Sequence, residues 1–143
     1  MPRALSLTTE LQFRLVVPGA ASLPVRAGLS YNPCDPYAVQ VAFHTGASND
    51  VVEWTFARQL LTDGASTPTG SGDVRVWPSW AGGSAVLCMS LSSPSGKALF
   101  EVPKAELLDF LADTYAAVPT GSEGDHVDVD AELALLLWAE PEV

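Results

Sequence analysis

Leu5-Ser6-Leu7-Thr8-Thr9-Glu10-Leu11-Gln12-Phe13-Arg14-Leu15-Val16-Val17 decides the fold class. Leu5, Leu7, Leu11, Phe13, Leu15 and Val17 fall on alternate positions, with Ser6, Thr8, Glu10, Gln12 and Arg14 between them. A period of two puts one set of side chains on each side of an extended chain, so the stretch is a long strand with one wet face. Pro18-Gly19 closes it, and alternation resumes at Val25, Ala27, Leu29 and Tyr31, opposite Arg26 and Ser30. A tight turn between two such runs predicts an antiparallel pair.

The same period continues outward. Asn32-Pro33-Cys34-Asp35-Pro36 is a turn by composition, and a third strand runs through Val39, Val41 and Phe43. His44 to Asp50 connects to a fourth, where Val52, Trp54 and Phe56 alternate with Val51, Glu53 and Thr55. Ala57 to Leu61 makes one or two helical turns, stopped at Gly64. After the Thr67 to Gly72 loop, Val74 to Trp77 is a short strand ended by Pro78, and Trp80 is expected to be exposed in a loop from Pro78 to Gly83. Ala85 to Leu91 and Ala98 to Val102 are two further strands about the turn Ser93-Pro94-Ser95-Gly96. The run Ala85 to Met89 is continuously apolar, the mark of a central strand buried on both faces.

From Pro103 the period becomes helical, with Leu107, Phe110, Leu111, Thr114 and Val118 on one stripe, and Pro119 ends it. Asp128 or Asp130 caps a last helix, Ala131 to Ala139, in which Leu133, Leu135, Leu136, Leu137 and Trp138 leave little polar face. The order is ββββα-βββαα, a single antiparallel α+β domain over residues 1–143 whose acidic helical part begins at about 104. Because Leu135 and Trp138 cannot all face one internal core, the last helix predicts a homo-oligomer, and Leu135, Leu136 and Trp138 are candidate interface residues.

Charge narrows the partners. The net charge is -10, and it is unevenly placed: residues 1–104 hold seven acids and seven bases, whereas residues 105–143 hold ten acids and no base. Phosphate binding is driven by Lys and Arg releasing counterions, and the bases here stand singly, so neither nucleic acid nor an anionic membrane surface is expected. With no basic leader and no apolar run long enough to span a bilayer, the chain reads as soluble and cytoplasmic. Cys34 and Cys88 lie in or beside apolar stretches, outside any CxxC pair, and are read as two buried thiols.

Motifs that would carry chemistry are weak. His44 and His126 sit in no nucleophile motif and read as ordinary histidines. Glu123, Asp125, His126, Asp128 and Asp130 could group about a hard cation, yet they lack the glycine and terminal glutamate of a calcium loop. Gly70-Ser71-Gly72-Asp73 precedes a strand, has no phosphate-reaching lysine, and reads as a tight hairpin. Trp54 and Trp77 are assigned to the core rather than to base stacking, which needs a basic groove. No catalytic residue, metal site or cofactor is expected.

Several segments in register carry a resemblance: Asp35-Pro36-Tyr37-Ala38-Val39, Phe43-His44-Thr45-Gly46, Trp54-Thr55-Phe56-Ala57-Arg58, and Pro68 through Pro78. Leu91 through Gly96 and Phe110-Leu111 continue the series. Over roughly Leu11 to Leu137 the chain resembles the SsgA-like proteins of actinobacteria, and its Leu15-Val16-Val17, Trp77-Pro78 and Asp128 to Leu133 segments are similar to the SsgB type. The resemblance implies a whirly-like fold of two antiparallel sheets with packed helices. It also implies a non-enzymatic role at the sporulation septum, homo-oligomers with a trimer among them, recruitment of the tubulin-like division protein FtsZ, and dependence on SsgA, direct or indirect. Trp80 is the candidate anchor for such a partner, or else a cover for a sheet edge. The alternative is a single-stranded nucleic-acid-binding module, since whirly folds include such binders.

Overall fold

The computed structural model describes residues 6–44 and 50–126. Alternation produces strands where it was strongest: β1 (Leu7–Leu15), β2 (Leu23–Tyr31), β3 (Ala38–His44) and β4 (Val51–Ala57). Helix α1 (Arg58–Gly64) follows, then β5 (Val74–Ala81), β6 (Ser84–Ser93), β7 (Gly96–Pro103), α2 (Lys104–Ala117) and a 3-10 turn, Glu123–His126. The α+β class and the antiparallel pairing agree with the sequence reading; the Ala131 to Ala139 helix lies outside the described residues.

The expected two sheets are one. All seven strands form a single antiparallel sheet in the order β4-β3-β2-β1-β7-β6-β5. The two halves join where β1 pairs with β7, through Arg14 with Glu101 and Leu15 with Phe100, and the Val16 N–H donates to Leu99 O at 2.8 Å just beyond them. The sheet also wraps upon itself. Phe43 on β3 and Phe100 on β7 are three strand steps apart, about 14 Å in a flat sheet, yet their rings stack at 4.7 Å. Phe13 on β1 packs edge-on against both, at 5.6 and 6.1 Å. Two halves that face each other across a shared core carry the periodicity of two packed sheets, so only the Leu15–Phe100 junction distinguishes the two arrangements.

The inner face holds Leu11, Phe13, Leu29, Val41, Phe56, Val76, Leu87, Met89 and Val102, covered by Leu107, Phe110 and Leu111 of α2. Burying these side chains is the main force holding sheet and helix together, about 1.5–3 kcal/mol for each large one. Val86 through Met89 are all buried, as the continuous apolar run predicts for a strand between two neighbours. Helix α1 touches both edge strands, β4 and β5. It approaches β5 so closely that a Cβ on Gly64 would stand 2.5 Å from Cγ1 of Val76, so this position must be glycine.

Strand β5 corrects the sequence reading. Pro78 does not end it: the strand continues to Ala81, with Pro78 opposite Leu87 and Trp80 opposite Ala85. The reason lies in the edge position. The Val76 N–H points outward, donating to Thr69 O at 2.9 Å, and Pro78, two residues on, shares that orientation. Its missing N–H therefore falls on the outer side, where no sheet partner needs it. Gly82 and Gly83, at φ 58° and 81°, then close a two-residue hairpin that only residues tolerant of positive φ can form.

Candidate functional site

Three features of the described residues stand out: a buried charge, an apolar opening and an exposed tryptophan. The buried charge is Arg58, 2% exposed at the start of α1. Its Nη1 donates to the carbonyls of Thr114 (3.1 Å) and Val118 (2.8 Å), and its Nη2 donates to Glu123 Oε2 (2.8 Å). The guanidinium carbon lies 3.9 Å from the Tyr115 ring centroid and 5.3 Å from that of Tyr31. Helix α2 has no basic residue in its last turn, so Arg58 provides from another element the cation that its terminal carbonyls favour. Every donor direction in use ends on a partner, and this arrangement clamps rather than reacts.

The neighbours respond to it. Burial pushes the Tyr31 hydroxyl above its ordinary pKa, against the opposing pull of Arg58, and that hydroxyl donates to Pro36 O at 2.9 Å. Glu123 is held below the usual carboxylate range, first by its own backbone N–H, then by the Gly121 N–H and Arg58. The sequence reading weighed Glu123 as a metal ligand; the structure commits it to Arg58 instead. Side chains at Asp125 and His126, and all of Asp128 and Asp130, lie outside what is described. Among the described residues no three His, Cys, Asp or Glu side chains gather as a metal set, and no helix is long and apolar enough to cross a membrane.

At the opposite end the inner face lies open. Val52, Trp54 and Phe56 share that face of β4, yet their cover grows along the strand: Val52 is 46% exposed, Trp54 half-buried and Phe56 buried. Leu23, paired with Leu15 at the start of β2, is 52% exposed. A cavity of about 290 Å³ opens there between the halves of the sheet, lined by Phe43, Val52, Trp54, Leu91, Ala98 and Phe100.

The third feature is Trp80, 73% exposed beside the Gly82-Gly83 hairpin. Its exposure agrees with the sequence reading, but it stands on a strand rather than in a loop. Trp54 and Trp77 are half-buried rather than fully buried, because both lie on edge strands with neighbours on one side only; Trp54 packs against the core, Trp77 is not part of it. Cys34 is exposed, against the expectation of two buried thiols, because its turn projects from the end of β2; Cys88 is buried. Burial raises the Cys88 pKa and keeps it a neutral thiol. The candidate residues Leu135, Leu136 and Trp138 lie outside the described residues. Sequence reasoning missed Arg58 because nothing local separates a buried arginine from a wet one, and its partner is 65 positions away. It also missed the opening, whose one signal was Val51-Val52, two apolar residues where alternation calls for one.

These features define an α+β domain on one wrapped antiparallel sheet, with a clamped end and an open end. The family described as "Streptomyces sporulation and cell division protein, SsgA" matches residues 25–123, and the chain belongs to that family. It is 60% identical over 137 residues to the sporulation-specific cell division protein SsgB of Frankia casuarinae, covering 96% of this chain and 95% of the relative. To SsgB of Streptomyces coelicolor it is 54% identical over 132 residues, 92% and 96% of the two chains. An SsgA-like sporulation-specific cell division protein from Thermobifida fusca superposes with a TM-score of 0.84 at 46% identity, over 96% of this chain and 99% of that one. A solved structure from work on SsgB mutations and longitudinal cell division during sporulation of Streptomyces coelicolor gives 0.82 at 55% identity, over 85% and 95%.

Proposed function

We propose that this chain is a non-enzymatic scaffold of sporulation-specific cell division that recruits FtsZ to future septum sites. In this reading it works in the cytoplasm as a homo-oligomer, with a trimer among the sizes in view, and is placed by SsgA directly or through another protein. The family supports a role in sporulation and division, and one structural observation carries the recruiting surface: Trp80, 73% exposed on the β5 edge. Covering a sheet edge would be the plain use of such a residue. That edge is already guarded, since Thr69 pairs with Val76 and Pro78 offers no N–H. Trp80 is thus free to serve as an anchor, and truncating an interface tryptophan costs about 2 kcal/mol, roughly 30-fold in affinity.

The nucleic-acid alternative, and the whirly likeness behind it, draws less support. Of the described bases Arg58 is buried, and Arg26 lies 3.7 Å from Glu10, which leaves few to neutralise phosphates.

Co-sedimentation with polymerised FtsZ tests the reading, for wild type and Trp80→Ala, with melting temperature as the folding control. Wild type is expected to pellet with the polymer and the variant to bind about 30-fold more weakly at equal stability. Unchanged binding would remove Trp80 from the interface. No pelleting of the wild type, with or without SsgA, would overturn recruitment.

A further inference from the structure

Where β7 leaves the sheet, β1 keeps an unpaired side. The two strands run antiparallel through Arg14 with Glu101 and Leu15 with Phe100, so the next residues opposite β1 are Val102 and Pro103. Pro103 has no N–H to give, and the chain turns there into α2. From Leu7 to Leu11, β1 has β2 on one side and, among the described residues, no strand on the other.

The pleat fixes which groups face that gap. Val16 donates its N–H to Leu99 on the β7 side. Backbone groups alternate in direction along a strand, so Thr8, Glu10 and Gln12 turn their N–H and C=O the same way. Those of Thr8 and Glu10 open into a groove of about 270 Å³ between β1 and α2, and among the described residues no loop backbone bonds to them. An edge of this kind is a template for a further strand unless it is guarded. The β5 edge is guarded by Thr69 and Pro78, whereas β1 pairs with β2 through all nine of its residues with neither a bulge nor a proline.

Helix α2 sets the chemistry of the strand that fits. Glu106, Asp109 and Asp113 line the groove and are exposed. No Lys or Arg lines it, and among the described residues none of these three acids is in an ion pair. Like charges one turn apart, as at Asp109 and Asp113, destabilise a helix, so the stripe does not serve α2 itself. It rises about 10 Å along the helix axis, and alternate side chains of an extended peptide are about 6.8 Å apart. Two or three bases at alternate positions therefore match it. Charge also disfavours occupants from this chain: a second copy paired edge to edge would bring two such stripes together, and residues 105–143 hold ten acids and no base.

We propose that the groove between β1 and α2 takes an extended, basic segment of a partner protein as an added strand. Its backbone pairs with Thr8 and Glu10, and its alternate Lys or Arg side chains lie on Glu106, Asp109 and Asp113. The proposal does not rest on the Trp80 surface.

Fluorescence anisotropy on the full chain tests it, with a labelled, blocked heptapeptide in which lysine alternates with valine. The wild type is expected to bind this peptide, more weakly as salt rises, and not its glutamate-for-lysine counterpart. Asp109→Asn combined with Asp113→Asn should weaken binding at least about 10-fold with the melting curve retained. Thr8→Pro removes an N–H that faces the groove and none that faces β2, so it should fold and also bind more weakly. On binding, hydrogen exchange at the Thr8 and Glu10 amides should slow.

No binding of the lysine peptide by the wild type would overturn the proposal. So would binding that survives the double aspartate change, which would place the peptide elsewhere on the acidic chain. Binding without slower exchange at Thr8 and Glu10 would reduce the site to a charged patch and overturn the added strand.

Discussion

At one end of the sheet's inner face a guanidinium lies 2% exposed between two tyrosine rings, bonded to two carbonyls and a carboxylate. At the other end Val52 and Leu23, side chains that could form core, are 46% and 52% exposed. Each end reverses the ordinary rule, with charge inside at one and hydrocarbon outside at the other. The buried charge holds three acceptors of this chain, so it acts within the chain, joining α1, the end of α2 and the Glu123 turn. The exposed hydrocarbon has no cover from the described residues, so it points beyond them. A polar group taken out of water must be satisfied where it lies, whereas an apolar group left in water can wait for a partner.

That contrast can be broken most forcefully at Arg58. Arg58→Ala removes the cation and leaves the Thr114 and Val118 carbonyls and the Glu123 carboxylate without their donor, and truncating a large buried side chain while stranding its hydrogen-bond partners costs about 2–5 kcal/mol. Urea unfolding is expected to show a loss of that size at pH 7; a loss under about 1 kcal/mol would mean that water takes over the role of the guanidinium.

A smaller, pH-dependent effect is expected from Glu123→Gln. The folded-state pKa of Glu123 is lowered, so its contribution is present above the ordinary glutamate value of about 4.3 and is lost as pH falls through the lower folded value. The gap in urea midpoint between wild type and variant should be widest near neutral pH and close below about pH 4. A gap that stays constant down to pH 3 would show that Glu123 matters through shape and not charge.

The smallest change in stability is expected at the open end. Val52→Glu alters a side chain that is already half in water, and its unfolding free energy should stay within about 0.5 kcal/mol of wild type. A larger loss would show that the mouth of the cavity belongs to the fold itself, which would erase the difference between the two ends.

What was legible in the sequence is what depends on neighbours a few residues apart. The alternation in Leu7 to Leu15, the unbroken Ala85 to Met89 run and the helical stripe from Leu107 to Val118 express the periods of strand and helix, and each lies where the sequence placed it. The motifs from Asp35 to Leu111 carried the family for the same reason, since they can be matched in line. Tertiary structure alone decided everything that depends on residues far apart. Leu15 beside Phe100 made one sheet of two halves, and an outward-facing edge let Pro78 remain in a strand. Arg58 was drawn inside only because α2 ends beside it and Glu123 returns to it from 65 residues away. Val52, identical in sequence terms to a core valine, stayed half in water because no described element crosses that end of the sheet. Periodicity reports the local geometry of the backbone, while burial is set by which distant surfaces meet, and a one-dimensional pattern holds no record of that meeting.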